Sequence, residues 1–289
     1  MNAAELFVKC LENEGVECIF GVPGEENADM LLALDDSSIR FVMTRHEQGA
    51  SFMADAWGRL TGKPGVCLST LGPGAANLVT GVANANMDRS PIVVITGQAS
   101  INRQHKESHQ AMDVVGMFGP ITKWANAISH PDNVPEVVRK AFKLATTPKP
   151  GACHLELPED IAGQEAKGEP LRVRTPLRPA PDDKAIEDAV RLLKDARKPI
   201  ILAGNGVIRT QAADRLRNFV ERSGIGVIST FMAKGCVSRH SEHCLFTIGL
   251  QARDLVACAV EDADVVMTLG YYRVEYPARL SNRRNGSRV

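Results

Sequence analysis

The chain has 289 residues, of which 44% are hydrophobic and 24% are charged, a composition typical of a globular protein with a buried core. Basic and acidic residues both number 34, so the formal net charge is zero and we expect no nucleic-acid partner. No apolar run reaches the length of a membrane span, and the first helix carries acids rather than the basic flank of a leader, so no membrane partner is expected.

Seven cysteines are scattered along the chain without a C-x-x-C pair. This pattern predicts free thiols in a reducing compartment, and therefore a cytoplasmic protein. We expect these cysteines to be small core residues rather than ligands or reactive groups. They are Cys10, Cys18, Cys67, Cys153, Cys236, Cys244 and Cys258.

Length suggests about two domains, and the first begins with alternating helices and strands. Asn2 is a predicted helix cap and Gly15 a stop, after which "ECIF" predicts a strand and "GVPGEEN" a turn into a second helix. The strand "IRFVM" precedes a helix from Glu47 to Leu60. There follow the strand "GVCLST", the loop "LGPG", the helix "AANLVTGVANANM" and the strand "PIVVITG".

A less regular stretch from Gln98 to Phe118 is followed by a helix from about Asn133 to Thr146 and by "GACHLELPED", the predicted last strand of this domain. The strands are apolar without alternation and are separated by helices. That pattern predicts an α/β fold with a doubly wound parallel sheet over residues 1–165.

Residues 166–182 are rich in proline, glycine and charge, which predicts a linker. A partial second domain is predicted over residues 183–289, with helices up to Ala196, from Gln211 to Ser223 and over "ARDLVACAVEDA". Its strands are "PIILAG", "IGVIST" and "DVVMTLG". Three strands make a short sheet, so we expect a truncated Rossmann-like domain.

Ligands of an open parallel sheet gather beyond the carboxyl ends of its strands, where four loops stand out: "GVPGEE", "RHEQGA", "LGPGAAN" and "GQASINRQHKESHQ". Gly24, Gly72 and Gly74 would leave room for a ligand near the backbone, while Pro23 and Pro73 would stiffen the turns. For any single loop, ordinary turn chemistry is the favoured explanation, since glycine and proline are the usual turn residues.

Glu47 stands at a predicted helix start, where an acid is favoured as a capping residue. The small residues Gly49 and Ala50 and the apolar run "FMADAW" behind it favour a second interpretation, an acid in an apolar pocket. A carboxyl group in such a pocket can keep its proton at neutral pH and donate it to a heterocyclic nitrogen.

Two further patterns are weak. "LAGNG" follows a strand, but Arg209 stands where a dinucleotide fingerprint has glycine, so a generic strand-to-helix turn is favoured. The run "CVSRHSEHC" holds two cysteines and two histidines without a standard zinc spacing, and we predict no metal site from it. These four residues are Cys236, His240, His243 and Cys244.

The strongest signal is a resemblance over about residues 3–282. "GVPGEEN", the continuous run from "TRHEQGASFMADAW" to "PIVVITGQ", "KESHQAMDVVGMFGPITKW" and "PGACHLELPEDI" together resemble the pyrimidine-binding domain of thiamine-diphosphate enzymes. Within that superfamily they are most similar to acetolactate synthase large subunits. "TFMAKG", "GLQARD", "ADVVMTLGY" and "VEYPARL" are similar to the central domain of the same group.

The resemblance implies a role for each matching position. Glu47 matches the glutamate that hydrogen-bonds the aminopyrimidine ring, and Gln110 would face the reacting centre. His109 departs from the phenylalanine that the family often has, and Lys123 would contact an acidic substrate unless it is a surface lysine. The other residues implied to lie beside the cofactor are Pro23, Gly24, Gly72, Pro73, Gly74 and Asn77.

The resemblance also implies an activity and its partners. The family decarboxylates a 2-keto acid such as pyruvate, joins the remaining two-carbon unit to a second 2-keto acid, and forms its active site between two subunits of a homodimer. Magnesium and the diphosphate are held by a domain with a "GDG" motif, which this sequence lacks, so we expect the chain to be inactive alone. FAD binds the central domain in biosynthetic members. Another 2-keto-acid decarboxylase and a non-catalytic truncated product stay open as alternatives.

Overall fold

The computed structural model describes residues 1–104, 106–174, 179–249, 255–272 and 275. The chain forms two compact units, residues 1–177 and 178–289. The division lies inside the predicted linker 166–182, of which residues 175–178 lie outside the described part. "VEYPARL", except Glu275, and the tail after it also lie outside, as does most of "GLQARD".

Both units are built from parallel strands that alternate with helices. The strands are β1 (Cys18–Gly21), β2 (Arg40–Met43), β3 (Gly65–Ser69), β4 (Ile92–Gln98), β5 (Trp124–Ala127), β6 (Ala152–Pro158), β7 (Pro199–Ala203), β8 (Gly226–Ser229), β9 (Cys244–Thr247) and β10 (Val265–Leu269). The helices are α1 (Ala3–Asn13), α2 (Ala28–Asp35), α3 (Glu47–Thr61), α4 (Gly72–Asn77), α5 (Val79–Met87), α6 (Val114–Phe118), α7 (Val134–Thr146), α8 (Glu159–Ala162), α9 (Asp183–Asp195), α10 (Asn205–Arg209), α11 (Ala213–Ser223) and α12 (Leu255–Asp262).

The first unit is a six-stranded sheet in the order β2-β1-β3-β4-β6-β5, with every pair parallel. Its central strands β3, β4 and β6 are buried along their whole length, because helices cover both faces. One core lies between the sheet and α1, α2 and α7, and the other between the sheet and α3, α5 and α6. The predicted α/β fold with a doubly wound parallel sheet is confirmed.

The second unit holds a four-stranded parallel sheet in the order β10-β7-β8-β9. The prediction of three strands was wrong, because β9 was missed. In the first unit β5 was missed in the same way. Both are four-residue edge strands that are only partly buried, and "WANA" in particular has little of the β-branched character that marks a strand.

The helix start predicted at Asn2 is confirmed, in contrast to the two missed edge strands. Asn2 caps α1 in a capping box with Glu5, in which each side chain accepts a hydrogen bond from the other residue's backbone N–H, at 2.8 and 2.9 Å. By contrast, "LGPG" was predicted as a loop but its GPG forms the first turn of α4, with Pro73 at a position where proline is tolerated.

The apolar run behind Glu47 is less enclosed than expected. Phe52 and Met53 on α3 are 41% and 40% exposed, so the prediction of a largely buried helix is wrong for these two residues. All seven cysteines are free, as predicted, but Cys258 is exposed rather than part of a core. Within the described part of the chain, no helix combines the length and the apolar character needed to cross a membrane.

Candidate functional site

The four glycine-rich or polar loops singled out in the sequence meet at one edge of the first sheet. They follow β1, β2, β3 and β4, which are neighbours in the sheet and run in the same direction. The segment 70–77, which consists of the turn after β3 and of α4, touches the other three loops through its glycines or side chains. This edge is therefore the candidate site.

Glycine is required in these loops because they approach one another closely. A Cβ atom at Gly24 would lie 2.3 Å from the Thr70 Cβ, and one at Gly72 would lie 2.4 Å from the backbone oxygen of Gln110. Gly72 also has a φ of +53°, in the left-handed region that favours glycine. The space at these two positions is taken up by neighbouring loops, so the glycines bring the loops together.

Glu47 is the first residue of α3 but does not cap it. The cap is His46, whose Nδ1 accepts a hydrogen bond from the Gln48 N–H at 3.1 Å. The Glu47 carboxylate instead reaches towards α4, where its Oε2 accepts a hydrogen bond from the Asn77 side-chain amide at 2.9 Å. The capping interpretation of Glu47 is wrong.

The second carboxylate oxygen of Glu47 is available for a ligand. Within the described residues Oε1 accepts no hydrogen bond, and a Cβ at Gly74 would lie 3.4 Å from it. The side chain is partly exposed, and Pro23 and Pro73 are exposed on the adjoining loops. An acid oriented by Asn77 therefore lies beside a residue that has no side chain. This arrangement fits a flat heterocycle with a ring nitrogen.

Gln110 and His109 lie on the segment that follows β4, and both are exposed. Gln110 adopts a left-handed φ of +53°, which is uncommon for a residue with a side chain. Its backbone oxygen packs against Gly72, so the segment is placed beside the same loop that approaches Glu47.

Lys123 has a different environment. Its ammonium donates hydrogen bonds to the backbone oxygens of Leu144 and Thr147, the latter at 2.8 Å, at the carboxyl end of α7. Burial lowers the pKa of this lysine. The predicted substrate contact therefore has no support from the geometry, which gives Lys123 the role of a helix-terminal cation.

The sequence reasoning missed a buried polar row on β4 and β6, beneath the segment that carries Gln110. Thr96 Oγ1 lies 2.9 Å from His154 Nε2, and the Gln98 amide donates to Glu156 Oε2 at 2.9 Å. Burial lowers the pKa of His154 to about 3 and raises that of Glu156 to about 7. The available signal was the presence of polar residues inside otherwise apolar strands, "VITGQ" and "CHLEL".

The loop after β1 adds a further polar contact. The Thr70 hydroxyl donates to Glu26 Oε2 at 2.7 Å, and Asn27 accepts a hydrogen bond from the Gly24 N–H at 2.9 Å. The side-chain nitrogen of Asn27 and the Ser69 hydroxyl are buried in this region and have no hydrogen-bond partner among the residues that the structure describes. Such unsatisfied groups are uncommon and are found more often near functional sites.

In the second unit, the turn after β7 is closely packed and already has a hydrogen-bond partner among the described residues. A Cβ at Gly204 or Gly206 would lie 2.5 Å from the backbone of Tyr271 or Gly270, so these glycines serve close packing. The Asn205 N–H already donates to the Glu275 carboxylate, which would repel a diphosphate at this turn. Among the described residues no three histidine, cysteine or acidic side chains are grouped to bind a metal ion.

Comparison with known proteins identifies both units. Residues 1–117 match the family described as thiamine pyrophosphate enzyme, N-terminal TPP binding domain, and residues 186–283 match its central domain. A probable acetolactate synthase large subunit of Methanocaldococcus jannaschii is 39% identical over 93% of this chain and 47% of that protein. The acetolactate synthase of Bacillus subtilis is 38% identical over 100% of this chain and 51% of its own length.

An acetolactate synthase large subunit of Mycobacterium tuberculosis is 36% identical over 93% of this chain and 44% of that protein. The chain therefore spans about half the length of the curated relatives it matches. Two family matches in the expected order, and relatives that align along nearly the whole chain, agree with the fold. The chain belongs to the thiamine pyrophosphate enzymes, of which it carries the N-terminal and central domains.

Proposed function

We propose that this chain supplies the pyrimidine-binding half of an acetolactate-synthase-type active site. The reaction is the decarboxylation of pyruvate or a similar 2-keto acid, followed by condensation with a second 2-keto acid. It would serve branched-chain amino acid biosynthesis or an acetoin pathway. The observation that carries the proposal is the Glu47 carboxylate, held by Asn77 through one oxygen and open at the other, beside Gly74.

Thiamine diphosphate supplies a carbanion-stabilising centre when it is bound. Glu47 Oε1 would share a proton with a nitrogen of the pyrimidine ring, and Asn77 would fix the carboxylate's orientation. Pro23 and Gly24 would bound one side of the ring, and the segment 72–74 the other. Gln110 and His109, both exposed, would face the substrate.

Residues 1–289 alone are proposed to form no acetolactate. The relatives extend over about twice this length, and a cofactor with a magnesium-bound diphosphate needs a second set of ligands. We also propose a homodimer, supported by the exposed apolar side chains Phe52 and Met53 on the helix that begins at Glu47. The free cysteines agree with a proposed cytoplasmic location.

A fusion protein tests the function directly. Residues 1–289 replace the aligned part of the Bacillus subtilis acetolactate synthase, which matches the whole chain. With thiamine diphosphate, Mg²⁺ and pyruvate, we expect acetolactate from the fusion and none from residues 1–289 alone. Acetaldehyde as the main product would favour a simple decarboxylase, the alternative within the superfamily.

The fusion also separates failure of folding from failure of the proposal. Circular dichroism and size-exclusion chromatography report whether it is folded and dimeric. A folded fusion that consumes no pyruvate would contradict the proposed function. Acetolactate formation by the 289-residue chain alone would contradict the proposal that it is inactive by itself.

A further inference from the structure

The segment that carries Gln110 is held by side-chain hydrogen bonds at two points. At its start, the Arg103 guanidinium donates to the Ser108 hydroxyl and to Glu159 Oε1, each at 3.0 Å. At its end, the Gln98 side-chain amide donates to the Met112 backbone oxygen at 3.0 Å. Gln110 lies between these two ties, so its backbone position depends on both.

In the second tie the donor side chain, Gln98, is buried and is oriented by Glu156. Gln98 and Glu156 are 3% and 4% exposed. The Gln98 amide nitrogen donates to Met112 and to Glu156 Oε2, and its oxygen accepts the Ala99 N–H at 3.0 Å. The Gln98 side chain is therefore held in one orientation from both ends, and Glu156 is the partner that keeps its N–H groups aimed at the segment.

The ties explain the backbone of Gln110. The Ala111 N–H donates to the Ser108 backbone oxygen at 3.3 Å, which closes a tight turn around Gln110. That turn places Gln110 in its left-handed conformation and its backbone oxygen against Gly72. A strained residue of this kind persists only where its surroundings determine it, and here they include the Gln98–Met112 hydrogen bond.

We propose that Gln98 and Glu156 form an internal anchor that positions residues 108–113, and with them Gln110, and that ionisation of Glu156 loosens this anchor. Both are positioning residues, since they act through the segment. The catalytic meaning of the anchor rests on the proposed function of Gln110. The anchor itself is a property of this chain and can be measured without catalysis.

The groups around Glu156 decide whether a rise in pH tightens or loosens the anchor. Burial raises its pKa from 4.5 to about 7, the hydrogen bond from Gln98 opposes this, and the Asp113 carboxylate adds to it. Asp113 accepts the Gly116 N–H at 2.7 Å at the start of α6, directly after Met112. Of the other side chains on this face of the sheet, Thr96 is uncharged and His154 is neutral because its pKa is about 3.

Among the described residues no cation forms an ion pair with Glu156; Arg103 pairs with Glu159. Opening of the segment would hydrate Glu156 and return its pKa towards 4.5, so opening releases a proton between about pH 4.5 and pH 7. Opening is therefore favoured as the pH rises through this range and changes no further above it.

Hydrogen exchange on the 289-residue chain tests the anchor. Protection factors of amides in residues 106–118, corrected for intrinsic exchange, are compared at pH 5.5 and pH 8. For the native chain we expect protection to fall by ~10- to ~100-fold at the higher pH. Glu156→Gln mimics the protonated acid and should abolish the pH dependence. Peptides from β3 and β4 serve as the internal reference for global opening.

Two further variants complete the test. Gln98→Met removes the donor at similar volume and should lower protection of residues 106–118 at both pH values. Glu12→Gln is the control, since it removes a hydrogen-bonded carboxylate on α1, where Ser38 is the partner; it should leave the segment unchanged. Protection that is independent of pH in the native chain, or a Glu156→Gln chain that behaves like the native one, would overturn the proposal.

Activity of the fusion gives an independent readout. There, Glu156→Gln should shift the alkaline limb of the pH dependence of kcat while the KM for pyruvate stays within twofold. If the exchange result holds and the fusion has no activity, the anchor stands and the proposed function fails. If the fusion is active but the segment's protection is independent of pH, the function stands and the anchor fails.

Discussion

Two glutamates at the carboxyl-terminal side of one sheet have opposite environments. Glu47 is partly exposed and is oriented by Asn77 through one oxygen, while its other oxygen accepts no hydrogen bond from the described residues. Glu156 is buried, is bonded to Gln98, and has no cation paired with it among the described residues. Exposure with one fixed oxygen suits an acid to meet a ligand, whereas burial suits an acid to hold other groups in place.

The largest expected effect concerns Glu47. In the fusion, Glu47→Gln keeps the hydrogen-bonding shape but cannot exchange a proton with the pyrimidine ring, so acetolactate formation should fall by ~10²- to ~10⁴-fold. Exchange of the thiazolium C2 proton, followed by NMR, should fall in parallel. Glu221→Gln, an exposed acid on α11, is the control and should change neither. Retained C2 exchange in the Glu47 variant would refute the assigned role.

A change at Glu156 should alter the pH dependence of stability instead. Its folded pKa of about 7 lies above the ordinary 4.5, so the neutral form is favoured in the fold. The stability it contributes is present at low pH, is lost as pH rises from about 4.5 to 7, and stays lost above that. Glu156→Gln should therefore raise the free energy of unfolding at pH 8, relative to the native chain, by on the order of 1 to 3 kcal/mol.

Urea denaturation at pH 5 and pH 8 measures this difference. Glu12 has the opposite behaviour, because hydrogen bonds from Ser38 lower its pKa. Removal of that carboxylate should cost stability at pH 8 rather than gain it. If Glu156→Gln and Glu12→Gln shift the unfolding midpoint in the same direction at pH 8, the contrast between an acid destabilised by burial and one stabilised by hydrogen bonds does not hold.

Replacement of Gly72, on the segment that meets both the Glu47 loop and the segment that carries Gln110, should have a smaller effect on stability. Gly72→Ala would place a Cβ 2.4 Å from the Gln110 backbone oxygen and impose a left-handed φ on alanine. We expect a loss of about 2 kcal/mol in the free energy of unfolding and weaker protection of residues 108–113. Gly49→Ala on α3 meets nothing within 4 Å and should instead stabilise the chain by roughly 0.5–1 kcal/mol. Equal changes in the free energy of unfolding for Gly72→Ala and Gly49→Ala would show that the loops around Gly72 can move apart without loss of stability.

The sequence was most informative where a local rule or a continuous motif applied. Asn2 was predicted as a helix cap from its position before an apolar helical pattern, and this is confirmed. Glu47 was singled out as a candidate from its loop and from family resemblance. The Gln98–Glu156 contact joins residues 58 apart, and it exists because β4 and β6 are neighbours in the sheet. The order of the strands in the sheet decides such contacts. β5 lies between β4 and β6 in the sequence but at the edge of the sheet, and its residues gave no clear signal of a strand.

Replacement of Lys123, which lies outside both acidic regions, should have the smallest effect. Its ammonium binds the last backbone oxygens of α7, a role that a hydrophobic side chain of similar length cannot fill. Lys123→Met should lower the free energy of unfolding by about 1 kcal/mol, because two backbone oxygens lose a charged donor while the apolar stem is kept. In the fusion, the KM for pyruvate should stay within twofold of the native value. A tenfold rise in that KM without loss of stability would restore the substrate interpretation, and would mean that a cation bound to helix carbonyls in the free chain moves to the substrate in the complete site.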